Sequence, residues 1–437
     1  MQRVNTMTRG GFLAGAALAG LPLILPSRLF GATSPSNTLN VGILGCGVRS
    51  LSHISSFMSM PGVRIIGVCD VAEKSMNLRK QAIDQRAKNQ DCKTYRDYRE
   101  LIANPEIDIV TIAAPDHWHA LMAIEAAQHG KHIYLEKPFA YSIEEGRAVI
   151  EAVKQAGVQL LNGTQQRSNV YFQRAAYLAR HGYLGEVHTV YAISQAGPTG
   201  GISTPSEIPS DLDFDFFTGP AHKIPYYKEL TDRGGSTPGW YFNPNFCSGW
   251  VTAWGAHHVD SAMFALGKDH EAPIKVEARG SYPITGAFST ANKWTAEISY
   301  SDGKKLIFLT ADQKEAPVGN VYIAGSKGWA SATRGSLTCN PPNLTESLWP
   351  HNDPEFECLT NGGDGDHFRN LINIIRYGAK NRAPMEISHL STTICHLTSI
   401  GIELQRPLQW NGKTERFIND DYANRWLGRA MRAPWKI

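Results

Sequence analysis

Residues 39–70 read LNVGILGCGVRSLSHISSFMSMPGVRIIGVCD, and this stretch decides the fold of the N-terminal half. An apolar run enters a glycine turn at residues 45–47, a polar helical stretch follows from about Ser50, and a second β-branched run ends at Asp70. A strand, a tight glycine turn and a helix make the arrangement in which backbone N–H groups meet a pyrophosphate. An acid about 25 residues after the first glycine suits hydrogen bonds from the adenosine ribose. The pattern predicts a dinucleotide site.

The acid at the end of the second run also indicates which dinucleotide is bound. Asp70 would repel a 2′-phosphate, so NAD is favoured and NADP is less favoured. The match to the fingerprint is imperfect, because Ser50 replaces its third glycine. Asp70 also has an alternative interpretation, since it could cap a helix that starts near Ala72.

The next hundred residues alternate short apolar runs with helical patterns. The runs lie at residues 107–114, 132–135 and 158–161, and the helical patterns lie at residues 119–129 and 143–156. Strands of four to eight residues that alternate with helices indicate right-handed βαβ units and a parallel sheet. The N-terminal half is therefore predicted to be a Rossmann α/β domain.

Polar segments follow the ends of these predicted strands, where ligands of such sheets bind. They read PDHWH at residues 115–119, EKP at residues 136–138 and GTQQR at residues 163–167. A residue before proline is extended, so the Lys137 amine is expected to project toward the ligand crevice. There it could polarise a substrate hydroxyl or take its proton. The alternative is a solvated loop lysine paired with Glu136.

Composition and charge narrow the class of protein. The chain has 437 residues, 42% hydrophobic and 19% charged, which indicates an ordinary globular protein of about two domains. Lys and Arg number 43 against 40 Asp and Glu, and three of these arginines lie in the acid-free first 38 residues. A neutral body without a basic run argues against nucleic-acid binding. The seven cysteines form no CxxC pair and are too sparse for a disulfide framework.

The first 33 residues have the order of an export signal. Arg3 and Arg9 precede an apolar stretch at residues 10–30, GGFLAGAALAGLPLILPSRLF. Its first 16 residues, 10–25, hold four glycines and a proline and are short and weak for a bilayer-spanning helix. The string TRGGFL is similar to a twin-arginine signal, with Gly10 in place of the second arginine. We expect cleavage, a periplasmic or otherwise exported protein, and no stable membrane insertion of the mature chain. An uncleaved anchor or a disordered leader is the alternative.

Five segments together resemble the Gfo/Idh/MocA oxidoreductase family, named after glucose–fructose oxidoreductase and inositol dehydrogenase. They are residues 39–70, 113–140 (AAPDHWHALMAIEAAQHGKHIYLEKPFA), 163–168 (GTQQRS), 249–267 (GWVTAWGAHHVDSAMFALG) and 423–435 (ANRWLGRAMRAPW). The EKP segment with the upstream DHWH is the most specific part. The likeness covers nearly all of the chain after the signal.

The resemblance implies a domain organisation. It gives a Rossmann domain at residues 38–162 and, at residues 163–437, a substrate-binding and oligomerisation α/β domain built on an open, mostly antiparallel sheet. The sequence agrees, because long alternating strand patterns appear at residues 273–283 and 295–312, the latter with a turn at residues 301–303. Exposed sheet faces in such domains often pair, so the resemblance also implies a homo-oligomer.

The resemblance also implies the chemistry, which is hydride transfer from a sugar or cyclitol hydroxyl to NAD(P). The family uses the lysine of EKP and an Asp-x-x-x-His pair to remove the hydroxyl proton. Lys137 matches the lysine and His257 matches the histidine, but Ala253 occupies the aspartate position. A histidine suits proton transfer near neutral pH. Asp260, three residues on, is a candidate to orient His257 if the stretch is helical; the ordinary alternative is a structural His-His pair.

The predicted site residues form three groups. Lys137 and His257 are the expected catalytic pair. The expected cofactor-binding residues are Gly45, Gly47, Val48, Arg49, Asp70, Pro115, His117, His119, Glu136, Lys137 and Gln166. Substrate-binding candidates are Arg167, Trp254, His258 and Asp260. The histidines show no recurring zinc spacing, so no metal is expected.

An export signal has a consequence for the cofactor, because free NAD is scarce outside the cytoplasm. A tightly bound NAD that is reduced and reoxidised in place would need no external pool. Two further functions remain open at this point. One is an NAD-dependent glycosidase that acts by transient oxidation and elimination, and the other is a sugar-binding family member without catalysis.

Overall fold

The computed structural model describes residues 38–232, 236–346, 356 and 364–437. The proposed export signal at residues 1–33 lies outside the described residues. The N-terminal half forms a six-stranded parallel sheet in the order β3-β2-β1-β4-β5-β6. Its strands are β1 (Leu39–Leu44), β2 (Val63–Cys69), β3 (Lys93–Tyr95), β4 (Ile109–Ile112), β5 (His132–Leu135) and β6 (Leu160–Asn162). The predicted Rossmann sheet is confirmed.

Helices connect these strands and cover both faces of the sheet. They are α1 (Ser50–Phe57), α2 (Glu73–Ala87), α3 (Tyr98–Ala103), α4 (His119–Gln128) and α5 (Ile143–Ala156). The ends of α5 follow from its sequence. The Ser142 side chain accepts a hydrogen bond from the Glu145 backbone N–H, and Gly157 ends the helix with φ +67°. Strand β5 and helix α5 have the predicted bounds, whereas β4 is shorter than the apolar run at residues 107–114.

The C-terminal half is built on a nine-stranded sheet in the order β13-β12-β11-β7-β10-β9-β8-β14-β15. Its strands are β7 (Val187–Ser194), β8 (Lys275–Ser281), β9 (Lys293–Ser299), β10 (Lys305–Thr310), β11 (Val321–Gly325), β12 (Gly328–Ala332), β13 (Leu337–Asn340), β14 (Leu408–Asn411) and β15 (Arg416–Phe417). Among the described strands, neighbours are antiparallel except β7 and β10. The expected open, mostly antiparallel sheet is confirmed.

One face of this sheet forms the core of the C-terminal half. The helices of this half are α6 (Val170–Arg180), α7 (Phe214–Thr218), α8 (Trp250–Ala253), α9 (Gly255–Leu266), α10 (Asp364–Tyr377), α11 (Met385–Leu404) and α12 (Asp421–Asn424). Helices α9 and α11 pack on the buried face, which includes Val190, Phe308 and Ile323. A side chain at Gly255 would meet the Phe308 ring at 2.9 Å, so glycine lets α9 approach β10.

A segment of the C-terminal half pairs with the Rossmann half directly after β2. We call residues 206–232 the covering segment. The Glu73 backbone N–H donates to the Asp211 carbonyl at 2.8 Å, the Asp213 N–H donates to the Val71 carbonyl at 3.0 Å, and Ala72 bridges to Leu212. The Arg432 guanidinium holds the same segment at Asp215 and Gly219.

Two further properties concern the described residues as a set. No helix in the described stretches is long and apolar enough to cross a bilayer. Six buried cysteines are free thiols, and Cys358 lies outside the described residues. Those six are Cys46, Cys69, Cys92, Cys247, Cys339 and Cys395.

We expect the substitution Phe308→Ala to lower the free energy of unfolding by about 3–5 kcal/mol, because it leaves a cavity between β10 and the helices packed on it. Urea unfolding followed by tryptophan fluorescence measures the change. Lys305→Ala on the same strand is the control and should stay within about 0.5 kcal/mol, since its side chain is exposed. Equal losses in the two variants would contradict this packing.

Candidate active site

The glycine turn after β1 is shaped to receive an anionic group. Gly45 has φ +91°, and a side chain there would lie 2.6 Å from the Ala113 carbonyl oxygen at the end of the neighbouring strand β4. At Gly47 an added Cβ would meet no protein atom within 4 Å. Glycine is therefore needed for the fold at the first position, while the second leaves space beside the start of α1. This is the space that a pyrophosphate requires.

Ser50 keeps the turn closed in place of the third glycine. Its side chain is buried at the start of α1, and its hydroxyl donates to the Gly47 carbonyl at 2.6 Å. The Arg79 guanidinium from α2 reaches the same hydroxyl at 3.1 Å and the same carbonyl at 3.3 Å. Two polar contacts of the Ser50 hydroxyl thus stabilise the turn at the position where the fingerprint expects a third glycine.

Asp70 ends β2 with both carboxylate oxygens on backbone N–H groups. Oδ2 accepts from Cys46 at 2.5 Å and Oδ1 accepts from Ala72 at 2.7 Å. Burial raises the pKa of this carboxyl, while the two hydrogen bonds and Arg79 act in the opposite direction. Ala72 is itself the N-cap of α2 and no side chain caps this helix, so the alternative that Asp70 is its N-cap is wrong. The carboxylate has lone pairs left for ribose hydroxyls, because two oxygens accept about four hydrogen bonds.

A cleft of about 740 Å³ begins at these residues. Its Rossmann wall includes the glycine turn, Asp70, Val48, Arg49 and Pro115, and its opposite wall comes from the covering segment together with Trp240 and Tyr241. The residues present fit a dinucleotide, because the open space beside the turn continues past the acid into a walled cleft. Gly45, Gly47 and Asp70 would hold the pyrophosphate and the adenosine ribose.

Lys137 stands beside the end of this cleft. Its Nζ donates to the Ala253 carbonyl oxygen at 3.0 Å and lies 5.9 Å from the centre of the Tyr241 ring. Burial lowers the pKa of the amine, and the nearby carboxylates of Glu136 and Asp116 raise it. An amine with a lowered pKa can take a proton near neutral pH. Lys137 is not itself among the residues that line the cleft, so its projection toward the ligand stays a prediction.

His257 lies in the first turn of α9, close enough to Lys137 for the two charges to interact. Its pKa lies well below the ordinary value because of burial, with Lys137 and Arg334 adding to the effect. Its Nδ1 is buried without a hydrogen-bond partner among the described residues. The ring is therefore neutral near pH 7 and a weaker base than a free imidazole.

The expected role of Asp260 in orienting His257 is wrong, and so is its place among the substrate residues with Arg167. The Asp260 carboxylate accepts from Arg167 Nε at 2.6 Å, and Asp269 completes the pair at 2.9 Å. The Arg167 side chain is 5% exposed and that of Asp260 is 0% exposed. The spacing along the helix suggested that Asp260 would contact His257. The carboxylate instead binds the buried guanidinium of Arg167, which comes from a distant segment. This ion pair joins the chain after β6 to α9.

The two histidines of the DHWH segment bind backbone rather than line the cleft. His117 Nε2 lies 2.9 Å from the Phe217 carbonyl, and burial lowers the pKa of this ring to about 3. His119 contacts the Pro138 carbonyl at 2.7 Å and the Ala114 carbonyl at 3.0 Å. Both side chains therefore fix the ends of neighbouring segments beside the cofactor cleft.

The Glu136 carboxylate contacts other side chains. Its Oε1 accepts from Arg49 Nε at 2.7 Å, from Gln165 Nε2 at 3.1 Å, and faces His53 Nε2 at 3.1 Å. Arg49 and His53 hold the pKa of the carboxyl well below its usual value despite burial. The pair ties the EKP segment to the glycine turn. The side-chain Oε1 of Gln166 accepts from the Ser261 hydroxyl of α9 at 3.1 Å, and Gln166 is not in the cleft lining.

Trp254 and His258 lie next to His257. The Trp254 ring centre is 6.1 Å from that of His257 and 5.5 Å from that of His258. Burial lowers the pKa of His258 to about 3, so this ring is neutral. The Arg334 guanidinium lies 5.2 Å from the Trp254 ring. Neither Trp254 nor His258 lines the cleft described above, and their part in substrate binding stays a prediction.

Two features of the site were not predicted. Asp116, quoted within the PDHWH segment, is a buried carboxyl beside Lys137 and the Cys247 thiol. Its position at the end of β4 was a usable signal. The covering segment carried no such signal, because its pairing with residues 71–73 joins distant parts of the chain.

In the described stretches, no three His, Cys, Asp or Glu side chains are grouped as metal ligands would be.

The substitution Gly47→Val tests the cofactor cleft. We expect a free energy of unfolding within about 0.5 kcal/mol of the parent, since an added Cβ meets no protein atom within 4 Å. NAD affinity should fall at least about tenfold, or about 1.4 kcal/mol, because the side chain occupies the space for the phosphates. Calorimetric titration of nucleotide-stripped protein measures the affinity.

Gly45→Val is the matched comparison, and it should lose both stability and affinity because its side chain meets the Ala113 carbonyl. An unchanged NAD affinity in Gly47→Val would show that the nucleotide binds elsewhere.

Two family descriptions match most of the chain. Residues 39–164 match the description "Oxidoreductase family, NAD-binding Rossmann fold". Residues 198–437 match "Oxidoreductase family, C-terminal alpha/beta domain". Both descriptions belong to the Gfo/Idh/MocA group, so the resemblance seen in the sequence is confirmed, and so is NAD as the cofactor of the N-terminal domain.

Curated relatives match only part of the chain. A glycosyl hydrolase family 109 protein from Shewanella baltica is 32% identical over 176 residues, which is 35% of this chain and 38% of that protein. An alpha-N-acetylgalactosaminidase from Shewanella oneidensis is 34% identical over 122 residues, 26% of each protein. The chain thus spans between about a quarter and two fifths of the length of these relatives.

Solved structures match over the whole fold. The WlbA dehydrogenase from Bordetella pertussis, in complex with NADH and UDP-GlcNAcA, has a TM-score of 0.63 at 16% identity, covering 86% of this chain and 99% of that one. A levoglucosan dehydrogenase in complex with NADH and levoglucosan has a TM-score of 0.61 at 18% identity, with 85% and 99% covered. At these identities the likeness shows the fold.

Proposed function

Because the chain belongs to the Gfo/Idh/MocA oxidoreductase family, we propose that it oxidises a secondary hydroxyl of a sugar, glycoside or cyclitol with NAD held in the cleft. The observation that carries this proposal is the Lys137 amine, buried and held at 3.0 Å by the Ala253 carbonyl beside the end of the cleft. NAD, when bound, accepts a hydride from the substrate carbon. The chain itself must then orient the hydroxyl and remove its proton.

Lys137 and His257 supply the proton acceptors. Burial lowers the pKa of both groups, which increases the fraction of neutral amine and neutral imidazole near pH 7. The substrate O–H proton goes to one of these nitrogens as the C–H hydride leaves, so the hydroxyl carbon becomes a carbonyl. The hydrogen bond to Ala253 fixes where the amine stands and leaves two of its protons, or a lone pair, for the substrate.

Aromatic side chains near Lys137 suit a carbohydrate. The Trp240 and Tyr241 rings stack with centres 3.8 Å apart and line the cleft. Trp250 lies 5.6 Å from Tyr241 and 6.2 Å from Trp254. Such faces pack against the C–H faces of sugar rings while their polar edges reach hydroxyl groups. Solved relatives with bound levoglucosan and UDP-GlcNAcA support the same substrate class.

Lys137→Ala should lower hydride transfer at least about 100-fold while leaving NAD affinity within about threefold, because the amine handles the substrate proton and not the nucleotide. His257→Ala should show the same separation with a smaller loss. The assay is NADH formation against a panel of sugars, glycosides and cyclitols, alongside calorimetric NAD binding.

Equal losses of turnover and NAD affinity in the two variants would contradict the assignment. If the unsubstituted protein binds NAD but turns over no member of the panel, the result favours the alternative that the protein binds sugars without catalysis.

A glycosidase is the second candidate, and the similarity to glycosyl hydrolase family 109 proteins favours it. In that reaction a transient keto group acidifies the neighbouring C–H, the glycosidic bond leaves by elimination, and the hydride returns to the sugar. The same cleft and the same Lys137 would serve both reactions. Release of an aglycone without net NADH formation separates this candidate from a dehydrogenase.

We also propose that the protein is exported and keeps its NAD bound. The apolar segment at residues 10–30 behind Arg3 and Arg9 supports export, and enclosure of the cleft by the covering segment supports retention. Protein purified from the periplasm without added cofactor should release stoichiometric NAD or NADH on denaturation, identified by mass spectrometry. Protein that is purified without nucleotide but binds added NAD would contradict the proposal that NAD is retained. Protein found in the cytoplasm would contradict the proposal of export.

A homo-oligomer stays a prediction, and the outer face of the nine-stranded sheet supports it. Tyr191, Tyr322 and Trp329 lie half-buried on this face, with ring centres 5.9 Å and 5.5 Å apart along the row. Half-exposed aromatic rings are enriched at protein interfaces.

A further inference from the structure

The C-terminal family motif, ANRWLGRAMRAPW at residues 423–435, lies in the described part of the chain but contributes nothing to the cleft lining. The end of this motif, residues 429–435, contacts both the Rossmann half and the covering segment. We call residues 429–435 the C-terminal strap. Arg429, Arg432 and Trp435 make its contacts to the two halves.

Arg429 anchors the strap on the Rossmann half. Its Nε donates to Glu145 Oε1 at 2.7 Å, and its Nη2 donates to the His117 carbonyl at 2.7 Å. The guanidinium also lies 4.1 Å from the centre of the Tyr141 ring. The side chains are 14% exposed for Arg429 and 4% exposed for Glu145. Breaking a buried, hydrogen-bonded ion pair is costly, so this end of the strap is fixed.

Arg432 holds the end of the short helix α7 in the covering segment. Its Nη2 donates to the Asp215 carbonyl at 2.8 Å and to Thr218 Oγ1 at 3.3 Å, and its Nη1 binds Asp215 Oδ1 at 2.9 Å. Its Nε donates to the Gly219 carbonyl at 2.9 Å, and its backbone N–H donates to the Pro220 carbonyl at 3.0 Å. The last carbonyls of a helix lack partners within the helix, and the guanidinium supplies them here.

The residues between these contact points form part of the cleft wall. Phe216 and Phe217 line the cleft, and so does Trp118 from the Rossmann half. The Trp435 ring centre lies 5.5 Å from that of Phe216 and 4.8 Å from that of Trp118. Trp435 is not in the lining. The strap therefore supports the wall from behind and does not border the space for the nucleotide.

The covering segment is also held to the Rossmann half without the strap. The Phe217 carbonyl accepts from Trp118 Nε1 at 3.1 Å, and residues 211–213 pair with residues 71–73. Loss of the Arg432 side chain is therefore expected to loosen α7 without unfolding the protein. Loosening of one segment is the local kind of opening that leaves the rest of a fold intact.

We propose that Arg432 is a positioning residue for the cofactor, which holds α7 on the cleft so that the nucleotide leaves only when α7 moves away from the strap. Because the strap does not border the nucleotide space, its loss should affect free and loaded protein alike. Opening and closing then become faster, while the equilibrium affinity changes little. This inference rests on the proposed retention of NAD and names the contact that sets the rate of its release.

The rate of NADH release tests this role of Arg432. Full-length, nucleotide-stripped protein is loaded with NADH and mixed with excess NAD, and the decay of NADH fluorescence gives the dissociation rate constant. In Arg432→Ala this constant should rise at least about tenfold, because several charge-assisted hydrogen bonds are lost. The dissociation constant should stay within about threefold. Arg425→Ala is the matched control and should leave both values unchanged, since Arg425 is exposed in the same motif.

An unchanged dissociation rate in folded Arg432→Ala would overturn the proposal, and so would a weaker affinity at an unchanged dissociation rate. If this variant is destabilised, hydrogen exchange of the protein without nucleotide decides. The backbone amides of residues 211–219 should exchange faster than in the parent while those of β9 keep their rates, and equal acceleration throughout would overturn the proposal. Failure of retention looks different, because the parent would then release NADH rapidly while the ratio between variant and parent stays high.

Discussion

The hydrogen bond from the Lys137 amine to the Ala253 carbonyl is the contact on which the site depends. It joins the end of a strand in the parallel sheet to the short helix α8 of the C-terminal half. Because α8 runs directly into α9, the same contact sets where His257 stands relative to the amine. The two halves of the chain thus meet at the amine to which we assign the proton transfer.

Several buried acids near this contact form ion pairs with arginines. Glu136 is balanced by Arg49, and Asp260 and Asp269 are balanced by Arg167, so each of these acids stabilises a junction between segments. Replacing one partner of such a pair leaves a buried charge, which costs several kcal/mol. Asp260 is an exception among these acids, because burial raises its pKa to about 6 despite the guanidinium.

The sequence predicted the Rossmann half well because its signals are local. Strand β5 and helix α5 have the predicted bounds, since a short apolar run, an N-terminal Ser142 and a C-terminal Gly157 mark them within a few residues. The glycine turn and Lys137 were found for the same reason. The misassigned Asp260 and the covering segment depend on contacts across about 90 and 140 residues, which periodicity does not report.

The divided origin of the cleft walls limits how far the two halves can be treated as interchangeable modules. One wall comes from the first four βα units and the other from the covering segment and Trp240. A Rossmann domain transplanted onto another C-terminal partner would keep its glycine turn and its acid, yet it would lose the side of the cleft that encloses the nucleotide. Cofactor affinity in this chain is therefore a property of the pair of domains, and the two would have to change together during evolution.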